Sequence, residues 1–398
     1  MYSHGQWDRK QAHVGRFGRR IALLFPSFIF ALIAPAAFAQ TGAVNDANPD
    51  YTDEVQTAIA TQPLAAQSAV RDRLRNNGFS KNGPWNTKLP PNVPLAPNSA
   101  AIVASITQDE HDTNGAWVLN TDTFSTPIFY VSRNTPMQNW TYSDCQNLPQ
   151  LAAVIAGSLE NVPTPPDLIA SQGTDESTTI YQPSTDTYWD FWRAQKDASG
   201  HWSACWGGKI EHYSHNPGIF TNPLGASASG LPLGAGVIRI SELQRGFIDH
   251  AIILVVPRTQ ANCFSWPANR DDGNTVGSDI ACEGQRFRLN PSFDVSTLYG
   301  RATQTIARAM QQYGLIVTDH GGAIVTYAED ERLYEATHGG MNPYPALEDP
   351  DSLLLPLEQQ AVLTQIPVDQ LQALPLNYGE PRAERAEDHS PLPTDIQP

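Results

Sequence analysis

The stretch SGLPLGAGVIRISELQRGFIDHAIILVVP, residues 229–257, packs more structural instruction into about thirty residues than any other part of the chain. It opens on Ser229-Gly230 and Gly234-Ala235-Gly236, small residues that let backbones approach closely or take positive φ. Residues 237–240 then read as a strand. Ser241 and Glu242 cap one short helical turn, Gly246 ends it, and residues 248–256 run almost continuously apolar, as a buried strand does. Only Asp249 and His250 break that run, at its entrance, and two ionisable groups there need partners, because burying either alone costs several kcal/mol.

On the N-terminal side, residues 178–181, 187–194 (TYWDFWRA) and 201–210 (HWSACWGGKI) read as successive antiparallel strands, with Ser199-Gly200 as a turn. Alternation puts Tyr188, Asp190 and Trp192 on one face and Trp189, Phe191 and Arg193 on the other, and aligns Trp202, Ala204 and Trp206. On the C-terminal side, residues 285–289 form a strand carrying Arg286 and Arg288 on one face. Residues 301–313 form the best helix, with Ile306, Ala309, Met310 and Tyr313 at helical spacing and Gly314 as the stop. Residues 315–318 and 323–327 read as strands joined in a hairpin through Asp319-His320-Gly321-Gly322. Many short strands and one good helix predict a mostly β domain, a two-sheet β-sandwich of jelly-roll type, with mixed α+β as the alternative.

The blocks DFWRA, HWSACWGGKI, ASGLPLGAGVIRISEL, GFIDHAIILVVP, WPANRDDG, EGQRFRLNPSFDV and TIARAMQQYGLIVTDHGGA follow one another over residues 190–323, within a region of roughly residues 107–329. In these blocks the chain resembles a family of secreted, largely uncharacterised bacterial proteins. The resemblance implies an exported globular domain and brings no activity with it.

Residues 1–39 read as a signal peptide: Arg16, Arg19 and Arg20 precede an apolar run over residues 21–33, and Ala37-Phe38-Ala39 has the pattern of a cleavage site. The apolar run is shorter than the roughly 20 residues a membrane span needs, so no membrane association is expected after cleavage. Removing this segment takes away five basic residues and one acidic one, moving the net charge from -16 to -20. So acidic a chain repels phosphate backbones, which excludes nucleic acid as a partner and favours neutral or cationic ligands. Residues 40–106, Ala- and then Pro-rich, read as a linker; residues 107–343 as the globular domain; residues 344–398 as an acidic disordered tail. The four cysteines allow three pairings in an oxidising compartment, of which Cys263 with Cys282 and Cys145 with Cys205 is favoured.

Two constellations invite chemistry. Tyr188, Trp189, Trp192, Trp202 and Trp206 offer aromatic faces that stack on sugar rings, although a sheet turns about half of them into the core. Asp249, His250, Asp190 and Glu242 supply carboxylates and an imidazole for general acid/base work, with Arg239 as a binding residue; the competing reading is a buried polar network. Asp271-Asp272-Gly273-Asn274 lacks the alternating acids of a calcium loop, and Asp319-His320-Gly321-Gly322 reads as ordinary turn chemistry. No metal and no cofactor is expected. The sequence supports a carbohydrate-active protein, a glycoside hydrolase or polysaccharide lyase. The alternative is a non-catalytic glycan- or cell-wall-binding (or structural) protein, with a polysaccharide or cell-wall glycan as partner in either sugar-directed case.

Overall fold

A computed structural model describes residues 77–113, 117–346, 363 and 365–381. The expected signal peptide, residues 40–76 of the expected linker and most of the expected tail lie outside the described residues. The fold is organised around the apolar run that ends the 229–257 stretch. Strand β11 (Ile252–Val256) is buried along its whole length. It is central in a six-stranded sheet of order β1 (Trp117–Asn120), β16 (Ile324–Tyr327), β11, β15 (Leu315–His320), β14 (Arg286–Leu289) and β17 (Leu371–Ala373). Its side chains alternate between two cores. Ile252, Leu254 and Val256 pack with Ile102, Val103 and Ile106 of helix α1 (Ser99–Asp112) and Ile306 and Met310 of the helix at Arg301–Gln312. Ile253 and Val255 face the other way, toward Trp85, Tyr188 and Ile210.

That second core joins the large sheet to a four-stranded one, β10 (Trp206–Glu211), β7 (Thr187–Trp192), β6 (Thr178–Gln182) and β2 (Ile128–Tyr130). The far face of the small sheet carries Trp189, Phe191 and Ile180, covered by helix α2 (Leu151–Leu159) through Ile155 and Leu159. Short pairs complete the fold: β3 (Met137–Gln138) with β5 (Val162–Pro163), β4 (Thr141–Tyr142) with β9 (Trp202–Ala204) and β8 (Gln195–Lys196), and β12 (Thr259–Phe264) with β13 (Ala281–Glu283). The protein is mostly β, as expected. Its strands, however, form several sheets in which parallel pairs (β1 with β16, β11 with β15, β2 with β6) mix with antiparallel ones. The layering is therefore of the mixed α+β kind and not a jelly roll, whose strands are antiparallel.

Four local expectations change. Residues 237–240 are not a strand: Leu233–Gly236 is a helical turn, Ile238 makes a single bridge to Ala328, and Ile240 opens helix α4 (Ile240–Arg245), α3 being that Leu233–Gly236 turn. The 315–327 segment is not a hairpin, because β11 lies between β15 and β16; the Gly321-Gly322 link crosses its end, with Gly321 N–H on the Val256 carbonyl at 3.0 Å. Residues 77–106 belong to the domain and not to a linker. Trp85 is fully buried, Leu89 and Val93 pack on Leu374, and Arg288 donates to the Pro90 and Pro91 carbonyls, which an extended Pro-rich segment leaves open. Residues 365–381 are likewise no tail, since β17 adds the sixth strand and buries Ile366, Val368 and Leu371. Both favoured disulfides are present, Cys145–Cys205 and Cys263–Cys282. No helix among the described residues is long and apolar enough to cross a membrane.

Candidate functional site

The residues expected to do chemistry are mostly sealed inside. Glu242 and His250 are fully buried, and Arg239 nearly so. The Glu242 carboxylate accepts the Arg239 backbone N–H at 2.8 Å, stands 3.1 Å from His250 Nε2 and 3.4 Å from Arg245. Burial works against its charge, but His250, Arg239 and Arg245 together pull its pKa down to about 2. His250 Nδ1 lies 2.7 Å from the Ala251 carbonyl and Nε2 3.2 Å from Glu242, so both ring nitrogens are engaged inside the core. The Arg239 guanidinium donates to the Gly234 carbonyl. Asp249 pairs with Arg245 at 3.5 Å beside this network. The polar entrance of β11 thus fixes helix α4 against the sheet, the structural one of the two readings offered by the sequence.

The aromatic set divides as alternation requires. Trp189 faces the α2 side and is core. Trp202 stacks on Trp140, ring centroids 5.1 Å apart, and is core too. It does not share a face with Trp206, because the strand breaks at Cys205 between β9 and β10. Trp192 and Trp206 reach the other side and line one cleft of about 630 Å³. Trp206 is held there, its indole N–H on the Pro223 carbonyl at 2.9 Å and the Arg270 guanidinium 5.1 Å from its ring centre. Asp190 lies under the same wall, buried, accepting N–H groups of Ala226 and Leu233 at 3.0 Å each. Burial pushes its pKa up to about 7 against those donors. It shapes the 226–233 loop and is not among the residues lining the cleft.

The cleft lies where the two sheets meet. From the small sheet's side come Asp175, Ser177 and Trp192; from the large sheet come Val255, Asp319, His320 and Tyr327. Asp319 and His320 enter because β15 carries a bulge: Leu254 pairs with Val317 but Val255 pairs with Asp319, so Thr318 is skipped. A bulge rotates the following side chains relative to the regular alternation, here at the strand's end. The Asp271-Asp272 loop adds Asp272, whose Oδ1 is 3.0 Å from His320 Nδ1. Strand β13 adds Glu283 from beneath, fully buried, with Thr259 Oγ1 donating to its Oε1 at 3.3 Å. One ligand-type atom from each of Asp272, Glu283 and His320 lies within 4.8 Å of those of the other two. No metal was expected from the sequence, and all of these residues fell outside its candidate set.

Crowding sets the electrostatics. Burial, then Asp319 and Asp272, drive the Glu283 pKa well above the usual carboxylate range. Burial, then Asp272, pushes Asp319 up to about 7. His320 is raised by Asp272 beside it, while Asp272 is lowered by His320 and Glu283 in spite of its own burial. Asp175 is raised by burial, although the Trp192 indole N–H donates to it and orients the ring. Arg270 brings the nearest guanidinium, yet its N–H groups are committed to the carbonyls of Pro223, Leu224, Gly225 and Ser227. Neither a protein-family model nor a curated protein nor a solved structure matches this chain. The site therefore speaks through its own geometry alone.

The support of Glu283 is covalent as well as packed. Cys263–Cys282 ties β12 to β13 one residue before it, closing a separation of 19 residues. Replacing both cysteines with Ser is expected to cost about 3 kcal/mol by the chain-entropy model. The check is a urea denaturation midpoint against wild type; an unchanged midpoint would show that β12 and β13 hold each other without the bond.

Proposed function

We propose that the protein is an exported carbohydrate-active enzyme, cleaving a glycosidic linkage in the cleft by general acid/base chemistry. The observation that carries this reading is the meeting of a partly exposed tryptophan, Trp192, with the carboxyl groups of Asp175, just before β6, and Asp319, at the end of β15, in one cleft. Trp192 offers the flat face on which a sugar ring stacks, with Phe124 further along the wall. In hydrolysis one carboxylic acid gives a proton to the leaving oxygen and a carboxylate takes one from the attacking water, so two carboxyls in one cleft suffice. Export is supported by the pattern of residues 1–39 and by two disulfides. The acidic chain favours neutral or amino-sugar polymers over polyanionic ones.

The test uses the mature chain on a panel of neutral and amino-sugar polysaccharides, reading reducing ends and ultraviolet-absorbing lyase products. Asp319→Asn is expected to lower turnover ~10²- to 10⁴-fold while retention on the polymer survives. Trp192→Ala is expected to weaken retention instead. Retention by the wild type without turnover would establish the non-catalytic glycan-binding alternative. Neither retention nor turnover would end the carbohydrate reading.

A further inference from the structure

Beneath the cleft one fully buried carboxylate oxygen is left without a hydrogen-bond partner. Glu283 is fully buried, and its Oε2 makes no hydrogen bond. Beside it, Asp272 Oδ1 and His320 Nδ1 stand 3.0 Å apart as an ion pair and answer only each other. A fully buried carboxylate oxygen without a partner is costly, so Glu283 Oε2 next to this ion pair calls for a shared partner. The chain's nearest guanidinium, Arg270, is spent on four backbone carbonyls. Two carboxylates and an imidazole converging within 4.8 Å of one another are a donor set for a cation.

We infer that Asp272, Glu283 and His320 bind a divalent transition-metal cation of the zinc class. An imidazole ligand disfavours calcium and magnesium, which take oxygen donors, and the two carboxylates disfavour soft thiolate-seeking ions. Ligands about 2.0–2.2 Å from a tetrahedral ion stand about 3.4 Å apart, so the set closes around one by small side-chain movements. Three protein ligands leave a position open, and His320 and Asp272 line the cleft on that side. The backbone already holds the ligands in place: Glu283 through the Cys263–Cys282 disulfide and the Ser265 N–H on its carbonyl at 2.7 Å, His320 through the β15 bulge. This inference shares the cleft with the enzyme reading but does not need it, because metal uptake is measured without any substrate.

The experiment is equilibrium dialysis of the untagged, chelator-stripped mature chain against Zn2+, with Co2+ as an optical probe. On binding, Co2+ should leave octahedral water and its visible absorption should intensify; one Zn2+ per chain should then displace it and abolish that absorption. Glu283→Gln and His320→Gln, each shown folded by circular dichroism, should lower affinity by 10-fold or more, while Asp249→Asn should not. A wild type that binds less than stoichiometric Zn2+, or variants that bind as it does, would overturn the site. Should Glu283→Gln fail to fold, His320→Gln decides, since that ring is partly exposed and outside the core. Turnover without metal uptake would leave the enzyme reading standing, and uptake without turnover would leave the metal site standing.

Discussion

Glu242→Ala should destabilise the protein by about 3–5 kcal/mol, because it leaves Arg239, Arg245 and His250 around a hole with no carboxylate to answer them. In a protein of this size that corresponds to a fall in Tm on the order of 10 °C. The wild type should also show the origin of this cost in its acid limb. The folded pKa of Glu242 is about 2, below the 4.5 of the free side chain. A depressed carboxyl contributes stability that is complete above the unfolded value and disappears as pH falls through the folded one, here worth about 3 kcal/mol between pH 4.5 and 2. Glu242→Gln should flatten the stability curve across that window. A variant that keeps wild-type Tm and acid limb but loses turnover would move the active centre back to the entrance of β11.

Gly284→Ala is expected to cost about 3–5 kcal/mol and to disturb the cleft floor along with the fold. Gly284 has φ of +79°, a left-handed conformation that a side chain resists, and a Cβ there would fall 1.7 Å from the Ser265 carbonyl oxygen and 2.6 Å from Ala268 Cβ. Neither neighbour is a flexible side-chain end that could swing aside. Ser265 is hydrogen-bonded through its N–H to Glu283, and Gly284 N–H is bonded to the Val317 carbonyl at 2.7 Å. The turn from β13 into β14 must therefore shift and take Glu283 with it. Denaturation midpoints and Zn2+ uptake of the same variant read both effects. Wild-type stability would show that the turn has another conformation open to it.

Much of the framework was legible because it depends on local pattern. The apolar run of β11, the alternating faces of β7 and the helix that stops before Gly314 follow from period and cap, and the favoured one of three cysteine pairings is the one present. Composition also set the acidic balance and the small number of free basic groups. Alternation by itself separates Trp192 from Trp189, and the structure keeps them on opposite faces.

What local pattern could not carry was order in the sheet. Leu315 to Tyr327 looks like a hairpin because its two apolar runs flank Gly321-Gly322, but insertion of β11 between them pairs residues some sixty to seventy positions apart. That insertion, with the bulge at Thr318, turns Asp319 and His320 from turn residues into the cleft wall. Asp272 and Glu283 arrive by the same kind of non-local contact, so neither the DDGN loop nor the apolar ACEG segment around Glu283 announces a site. The Pro-rich segment before Ser99 looks like a linker for a related reason: its carbonyls find Arg288, whose place is set only when β14 joins the sheet. Sequence thus determined which elements form and how each divides its faces, since those depend on neighbours a few residues away. Tertiary structure alone decided which polar residues meet, because burying Glu242 with Arg239, Arg245 and His250 and gathering Asp272, Glu283 and His320 are outcomes of chain crossings that no short window contains.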